Sequence, residues 1–349
     1  MTARRRDVIA VGASAGGVES LRALVAGLPP AFPGSLLVVL HLPRDAPSAL
    51  PSILARSGPL PAAAALDGEP LRPGRIYVAP TDHHLLLLDG HLRLSHGPAE
   101  SGHRPGIDPL FRSVARAVGP RAVGVVLSGS RDDGAAGLAA IVARGGTAVV
   151  QDPADALYPS MPLASLAQSP TAYVQPAAKL GGLLAELAAL PLDDPLMPPD
   201  ALLDTEVAMS DLAPLTTDEF APSAGFGCPT CGGGLFQLGE GATPRYRCRV
   251  GHAWSAESLL DEQALALESA LWMALRALEE KSALSRRLAA GGTHRRGGTG
   301  ERFHSIAADA DAAGATIRRL IARLGGLPEP HPAPAPSGAR PGDLPSDVR

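Results

Sequence analysis

Three polar residue types that together can form a hydrolytic triad follow separate apolar runs of the sequence. Ser14 lies in the turn VGASAGG after the first run, and His41 directly follows the second. Asp132 and Asp133 share the loop SGSRDDG after a later run. A serine hydroxyl becomes a nucleophile when a base takes its proton, and the base needs an acid to orient it. This combination indicates nucleophilic hydrolysis, with either aspartate as the candidate acid.

The turn around Ser14 fits the pattern G-x-S-x-G between Gly12 and Gly16. Such a turn holds a serine hydroxyl at the end of a strand, beside a helix N-terminus whose free N–H groups can stabilise an oxyanion. The alternative is a glycine-rich turn that binds phosphate or only reverses the chain. The turn lacks the G-x-G-x-x-G and G-K-[ST] spacings of phosphate loops, so the hydrolase interpretation is favoured.

Apolar runs alternate with helix-like stretches through residues 7–190. The runs are short and bounded by glycine or proline, as buried parallel strands are; they cover residues 8–11, 36–40, 76–79, 123–127 and 147–150. The helix-like stretches cover residues 18–26, 110–117, 135–143 and 162–167, and residues 85–88 and 92–95 predict an inserted β-hairpin. This order predicts an α/β fold with a doubly wound, mostly parallel sheet. The serine, histidine and aspartates would then all lie at its carboxyl edge, where α/β sheets place their sites.

Composition restricts the classes of function. The formal net charge is −4, so the sequence predicts no electrostatic attraction to nucleic acid or to anionic membranes. The chain has no apolar run of about eighteen residues and no signal-peptide pattern at its start, so we expect a cytoplasmic protein without membrane insertion. Its three cysteines lie in one short segment, which does not suit a disulfide framework.

The cysteines and a histidine form a metal-ligand pattern. Cys228 and Cys231 make a C-x₂-C pair, and Cys248 and His252 make a C-x₃-H pair. Three thiolates and one imidazole satisfy tetrahedral zinc and leave no position for water, so the sequence predicts a structural zinc site. Three arginines nearby raise the alternative of nucleic-acid binding. We rank protein contact or helix docking ahead of it, because the flanking chain is acidic.

The C-terminal half divides into four segments. Residues 191–223, rich in proline and aspartate, predict a linker, and residues 224–254 hold the metal ligands. Residues 255–324 predict a helical hairpin or coiled coil with helices at 256–290 and 302–324, and residues 325–349 predict a disordered tail. The first helix carries a heptad-like apolar seam, which favours docking against the second helix or against a partner's helix; the seam comprises Leu260, Ala264, Leu267, Leu271, Ala274 and Leu278.

Residues 7–190 resemble the catalytic domain of the chemotaxis protein-glutamate methylesterases, the CheB family. The matching stretches are VGASAGG, LHLP, GRIYVAP, HRPGIDPLF, GVVLSG and DDGAAG, in that order through residues 11–137. The resemblance implies that Ser14 is the nucleophile, His41 the general base and Asp133 the orienting acid. It also implies hydrolysis of glutamate γ-methyl esters, and deamidation of certain glutamines, on methylated chemoreceptor helices without a catalytic cofactor.

Two departures from the family pattern surround the predicted oxyanion site. Ala15 follows the nucleophile where the family often has threonine, and the triplet ending at Ser130 replaces the frequent Thr-Gly-Met. Backbone N–H groups survive such side-chain changes. We therefore expect the N–H groups of Ala15 and Ser130 to serve as oxyanion donors and the activity to persist.

Control and alternatives complete the sequence-based expectations. Typical family members carry a receiver domain ahead of the catalytic domain, whereas six residues precede the first strand here, so we expect activity that does not depend on phosphorylation. The chain order serine, histidine, aspartate argues against the lipase-type fold. Asp108 is expected to support the fold or cap a helix. The alternative functions are a non-catalytic adaptor of a chemosensory array and a serine hydrolase that acts on another ester.

Overall fold

The computed structural model describes residues 5–45, 48–192, 198–213, 222–238, 244–290 and 299–324. The strands are β1 Val8–Ala13, β2 Ser35–Leu40, β3 Ala62–Ala64, β4 Ile76–Val78, β5 His84–Leu88, β6 His91–Ser95, β7 Ala122–Val126, β8 Thr147–Gln151, β9 Tyr173–Gln175, β10 Ser223–Gly227, β11 Gly234–Leu238, β12 Arg245–Cys248 and β13 Ala253–Ser255. The helices are α1 Gly17–Ala26, α2 Leu50–Ser57, α3 Ile107–Val118, α4 Ala135–Ala143, α5 Ser160–Gln168, α6 Ala177–Ala189, α7 Ala201–Ser210, α8 Ala256–Ala290 and α9 Thr299–Leu324. The chain forms two compact units that meet between Gln263 and Ala264.

A seven-stranded sheet forms the centre of the first unit. Its strand order is β3-β4-β2-β1-β7-β8-β9, and every neighbouring pair is parallel. The strand β1 pairs with β2 on one side and with β7 on the other, so it lies at the switch point of a doubly wound fold. The predicted fold class is confirmed, and the predicted hairpin is the separate pair β5 and β6.

Two apolar layers cover the two faces of the sheet. Successive residues of β1 point to opposite faces, so Val8 and Ala10 contribute to one layer while Ile9 and Val11 contribute to the other. The first layer is completed by α3, α4, α5 and the β5–β6 hairpin, and the second by α1, α2 and α6. Because both faces are covered, the strands are continuous apolar runs, which is why the sequence predicts them well.

The sequence pattern does not predict the short edge strands β3 and β9 or the helices α2 and α6. The strand β3 consists of three alanines, which have little strand preference, and the residues of β9 are largely exposed. The helix α2 has only eight residues, and α6 contains Gly181 and Gly182, so neither matches the pattern of a long helix. The sequence analysis therefore predicts none of these four elements.

The predicted linker at residues 191–223 contains the helix α7. Asp200 begins this helix, and its side chain accepts a hydrogen bond from the N–H of Leu203. Leu203 and Val207 are buried in the apolar layer that contains α3. This part of the chain is therefore attached to the sheet domain and is not a free linker; residues 193–197 and 214–221 lie outside the described residues.

The segment with the metal ligands forms its own small sheet within the first unit. Its strands follow the antiparallel order β10-β11-β12-β13. A small apolar core contains Leu235, Trp254 and Leu259 together with two of the cysteines. Because this segment and residues 5–192 belong to one compact unit, the predicted domain boundary at residue 224 does not separate independent bodies.

The second unit begins within α8 and contains the rest of that helix together with the antiparallel helix α9. Leu275 and Ser282 of α8 are buried, as are Ala310 and Ile321 of α9. Ion pairs join Arg286 to Asp311 and Arg318 to Glu279. The predicted seam is not the buried line, since Leu260 and Leu267 are 68% and 51% exposed. The tail at residues 325–349 lies outside the described residues, and among the described helices none is long and apolar enough to span a bilayer.

Candidate active site

Ser14 occupies the sharp turn between β1 and α1. Its N–H donates to the carbonyl oxygen of Ser128 at 3.0 Å, which ties the turn to the loop after β7. Gly16 adopts a left-handed conformation with φ of 69°, and a Cβ there would lie 2.8 Å from the Ser128 Oγ. The turn therefore requires glycine at this position.

His41 lies beside Ser14 because their strands are neighbours. The register pairs Ala13 with Leu40, and the N–H of His41 donates to the Ala13 carbonyl oxygen at 3.1 Å. The Ser14 Oγ lies 3.1 Å from the Nδ1 of His41, and the Nε2 of His41 lies 2.8 Å from the Asp133 Oδ2. The three predicted residues thus form one hydrogen-bonded chain, in which the serine donates to a histidine protonated at Nε2.

Asp133 is buried at the N-terminus of α3. It accepts hydrogen bonds from the N–H groups of Ile107 and Asp108 at 2.8 Å and 3.0 Å, in addition to the one from His41. Burial alone would raise the pKa of Asp133, but these hydrogen bonds and the adjacent imidazole hold it below its ordinary value. The carboxylate is therefore ionised and can stabilise positive charge on His41.

Asp132 faces away from the histidine. Its Oδ1 accepts a hydrogen bond from the Ser255 Oγ at 2.8 Å. Burial raises the pKa of Asp132 to about 6, and the charges of Glu257 and Asp133 act in the same direction. The geometry resolves the ambiguity between the two aspartates, since Asp133 hydrogen-bonds to His41 whereas Asp132 hydrogen-bonds to Ser255.

His103 is a site residue that the sequence analysis did not single out. Its ring stacks on that of His41, with centroids 3.7 Å apart and planes within 8° of parallel. Burial lowers the pKa of His103 to about 4, and the neighbouring His41 contributes in the same direction. A neutral ring therefore covers one face of His41. Its position in the stretch HRPGIDPLF was the available signal, but that stretch does not indicate a contact with His41.

The two predicted oxyanion donors belong to the turn of Ser14 and to the loop after β7, which are joined by the Ser14 N–H donating to the Ser128 carbonyl oxygen. Within the described chain, no protein acceptor takes a hydrogen bond from the N–H of Ala15 or of Ser130. Gly129 approaches the nucleophile closely, because a Cβ on it would lie 2.9 Å from the Ser14 Cβ. Ser128 links the loop after β7 to two other segments. Its Oγ donates to the Ala15 carbonyl oxygen at 2.8 Å and accepts from the N–H of Tyr158 at 3.0 Å.

The four predicted metal ligands converge. One ligand atom from each of Cys228, Cys231, Cys248 and His252 lies within 4.8 Å of the other three. The first pair lies in a turn closed by the N–H of Gly232 donating to Cys228, and the second pair in a turn where the N–H of Cys248 donates to His252. The chemistry and spacing of these donors fit a four-coordinate metal ion, so the group could hold one.

A buried ionic network joins the metal-ligand segment to the sheet domain. Arg247 donates to Glu100 at 2.9 Å, Arg112 pairs with the same carboxylate, and Arg245 forms two bonds to Glu206 at 2.7 Å and 3.0 Å. Glu100 and Arg247 are 2% and 0% exposed. Two of the three arginines considered for nucleic-acid contact are thus paired with carboxylates, which favours the protein-contact interpretation.

Comparisons with known proteins agree with this geometry. A family model described as CheB methylesterase matches residues 9–184, just over half of the chain. A protein-glutamate methylesterase/protein-glutamine glutaminase of Pseudomonas putida is 37% identical over 53% of this chain and 56% of its own length. One of Anaeromyxobacter dehalogenans is 44% identical over 47% of this chain and 48% of its own. The chain thus spans about half the length of the curated relatives it matches.

A solved structure shows the same fold. The crystal structure of the Thermotoga maritima CheB methylesterase catalytic domain superposes with a TM-score of 0.50 at 30% sequence identity. The match covers 98% of that chain and 52% of this one. The matched part therefore corresponds to a complete catalytic domain of that protein.

Proposed function

The chain belongs to the CheB methylesterase family, and from this premise we propose that it hydrolyses glutamate γ-methyl esters, and deamidates glutamine, on chemoreceptor-type proteins. The observation that carries the proposal is the hydrogen-bonded chain from Ser14 through His41 to Asp133. The names of the relatives support the choice of substrate, because they combine esterase and glutaminase activities. Both reactions transfer an acyl group through the same kind of intermediate.

The first half of the reaction forms an acyl-enzyme. The Ser14 Oγ attacks the ester carbonyl carbon while the Nδ1 of His41 takes its proton. The negative charge that develops on the carbonyl oxygen is stabilised by the N–H groups of Ala15 and Ser130. Collapse of the tetrahedral intermediate breaks the bond to the methoxy group, which leaves as methanol with the proton from His41. A glutamine side chain would release ammonia at the same step.

The second half restores the enzyme. A water molecule gives a proton to His41 and attacks the acyl carbon, and the Ser14 oxygen leaves with that proton. The product is a free glutamate side chain. Asp133 holds the Nε2 proton of His41 throughout and stabilises the imidazolium that forms in both halves.

A direct assay tests this function. Methanol release is measured from membranes that carry methylated receptors, with wild-type protein and with Ser14→Ala. We expect the variant to lose at least about 10³-fold in rate and to remain folded, since it removes the nucleophile. Ser52→Ala, at an exposed position of α2, is the matched control and should retain full rate. Methanol release at the background level for both wild type and Ser14→Ala would favour the adaptor alternative.

The same assay separates this function from hydrolysis of another ester. A small activated ester reports the chemistry of Ser14 without receptor recognition. Turnover of that ester without methanol release from receptors would support the other-ester alternative. Turnover of both would support the proposed substrate.

We further propose that the metal is structural zinc and that the protein acts in the cytoplasm on chemoreceptor helices. Three thiolates and one imidazole are a donor set that zinc prefers, and they fill all four of its positions. The three cysteines form no disulfide among the described residues, which is the usual state in a reducing compartment. The exposed apolar residues of α8, among them Leu267 and Trp272, support contact with a further helix.

A further inference from the structure

The metal-ligand segment touches the loop that carries the catalytic acid. Ser255 lies three residues after the ligand His252, and its Oγ donates to Asp132, the neighbour of Asp133. A second contact to the loop at residues 128–134 is an ion pair, in which the Arg131 Nε lies 3.0 Å from the Asp261 Oδ2 in the first turns of α8. Both contacts come from residues within nine positions after the ligand His252.

The same segment also touches the turn that carries His103. The N–H of Ser101 donates to the Ala253 carbonyl oxygen at 2.7 Å, and the Ser258 Oγ donates to the Ser101 Oγ at 3.2 Å. Glu100 and His103 close this turn through two backbone hydrogen bonds of 3.1 Å and 2.8 Å. The metal-ligand segment thus contacts the loop that carries Asp133 and the turn that carries His103.

Arg247 links the ligand turn itself to this support. It directly precedes the ligand Cys248, and its Nη1 donates at 3.1 Å to the carbonyl oxygen of Gly251, inside the turn from Cys248 to His252. Its Nη2 donates to Glu100 at 2.9 Å. The shape of the ligand turn therefore determines where Arg247 holds the turn that carries His103.

The junction is made of separate polar contacts and not of a continuous apolar core. A cavity of about 210 Å³ lies between the metal-ligand segment and the helices α3 and α4, and its lining includes Asp132, Trp254, Ser255 and Glu257. A junction of this kind gives little support by packing alone. Its geometry depends on the directions of a few hydrogen bonds, which the ligand turn sets.

We propose that the metal-ligand segment positions the active site: with its four ligands bound to metal, Ser255 and Arg247 hold the loop of Asp133 and the turn of His103 against His41. This inference rests on the proposed hydrolase function. Ser255 and Arg247 act through other residues and contact no substrate, so they are positioning residues. Misplacing a catalytic group by about 1 Å costs on the order of 10²-fold in rate, so loss of the metal or of these contacts lowers kcat and leaves KM nearly unchanged.

The test compares three states of the full-length protein. The first is the zinc-loaded wild type, the second is the same protein after chelation, and the third is the loaded Ser255→Ala variant. Ser255→Thr keeps the hydroxyl and is the conservative rescue, and Ser223→Ala, at an exposed position of the same small sheet, is the matched control. Each is assayed for kcat and KM, for bound zinc, and for the rate at which a fluorophosphonate labels Ser14.

We expect Ser255→Ala to retain one zinc per chain and to lose tenfold or more in kcat and in labelling rate, with KM within about threefold of wild type. Ser255→Thr should recover most of both rates, and Ser223→Ala should match wild type. Zinc added back to the chelated protein should restore labelling. Retained zinc and a nearly unchanged KM in Ser255→Ala separate positioning from a general loss of structure, because an unfolded segment would release its metal. Recovery by Ser255→Thr shows that the hydroxyl is the group required.

Equal labelling rates for loaded wild type, chelated protein and Ser255→Ala would overturn the inference. If chelation unfolds the protein, the comparison of Ser255→Ala with Ser255→Thr decides by itself, because both are measured with zinc bound. Failure of the proposed substrate has a different signature. It would appear as labelling that depends on Ser255 while the loaded wild type releases no methanol.

Discussion

Asp133 and Asp108 cap each other's helices. Asp133 accepts the N–H of Asp108 at the start of α3, and Asp108 accepts the N–H groups of Gly134 and Gly137 at the start of α4, at 3.0 Å and 2.7 Å. The expected capping role of Asp108 is thereby confirmed. Burial and the charge of Asp133 raise the pKa of Asp108 to about 7. The carboxylate that contacts His41 therefore also connects the N-termini of α3 and α4.

This double role predicts different effects for two substitutions of Asp133. Asp133→Asn keeps an oxygen acceptor for the start of α3 but presents an amide to His41, so we expect a fall in kcat of about 10³–10⁴-fold. Asp133→Ala should lose similar activity and also about 1–2 kcal/mol of stability, because it removes a helix cap. Kinetics and urea unfolding measure the two effects. Asp132→Asn keeps an oxygen acceptor for Ser255 and is the control; a loss in that variant as large as the loss in Asp133→Asn would contradict the assignment of the acid.

His103 makes stability depend on pH. Its folded pKa of about 4 lies below the ordinary value of 6.5, so the unfolded chain binds the proton first as pH falls. Stability is therefore lost between about pH 6.5 and pH 4, by up to about 3 kcal/mol from this group. His103→Phe keeps an aromatic ring on His41 and cannot titrate, so its urea unfolding should change less over this range. Parallel stability curves for the two proteins would show that His103 is not the cause.

The buried ionic network predicts strong coupling between two residues. Arg247→Met leaves Glu100 without one of its two arginine partners, and we expect a loss of about 3–5 kcal/mol of stability. Glu100→Gln in the same chain removes the carboxylate charge that Arg247 would have neutralised, so the double variant should be less destabilised than the sum of the two single variants. Urea unfolding of all four proteins gives the coupling energy. Strict additivity would mean that the two side chains do not interact.

Zinc should bind in a one-to-one ratio and stabilise the small sheet. Elemental analysis of protein purified without chelator should find one zinc per chain, and Cys248→Ser should lose it. Trp254 is buried in the core that contains two of the cysteines, so its fluorescence should change when zinc is removed and recover when it is restored. The assignment would be contradicted if the purified protein contained no zinc. It would also be contradicted if chelation left the melting temperature unchanged.

Gly129 leaves no room for a side chain. A Cβ at this position would lie 2.4 Å from the Met161 Sδ and 2.9 Å from the Ser14 Cβ. We expect Gly129→Ala to cost about 1–3 kcal/mol and to slow the labelling of Ser14 by displacing the nucleophile. Gly182→Ala is the matched control, since its Cβ would meet open space on α6, and it should stabilise the protein by up to about 1 kcal/mol. Equal labelling of Gly129→Ala and wild type would show that the turn accommodates the methyl group.

The parts of the site that the sequence predicts are those that follow strands. Ser14 and His41 come directly after apolar runs, and the parallel sheet brings such positions together whatever the distance along the chain. The metal ligands were predictable because their spacing is local. Neither reason applies to Glu100 and Arg247, which are 147 residues apart and carry charges that a sequence pattern assigns to the surface. The stacking of His103 on His41 is likewise set by tertiary packing alone.

The strand order has a consequence for how the protein acquires activity. His41 lies 27 residues from Ser14 and 92 residues from Asp133, and their strands β2, β1 and β7 are neighbours only in the assembled sheet. Pairing over such distances is slow, because the chain loses entropy on closing a long loop before the stabilising contacts between the strands form. During synthesis the chain exposes Ser14 and His41 well before Asp133 emerges. The proposed hydrolysis can therefore begin only after the central strands have paired, and the appearance of activity in a refolding experiment would time the closure of that sheet.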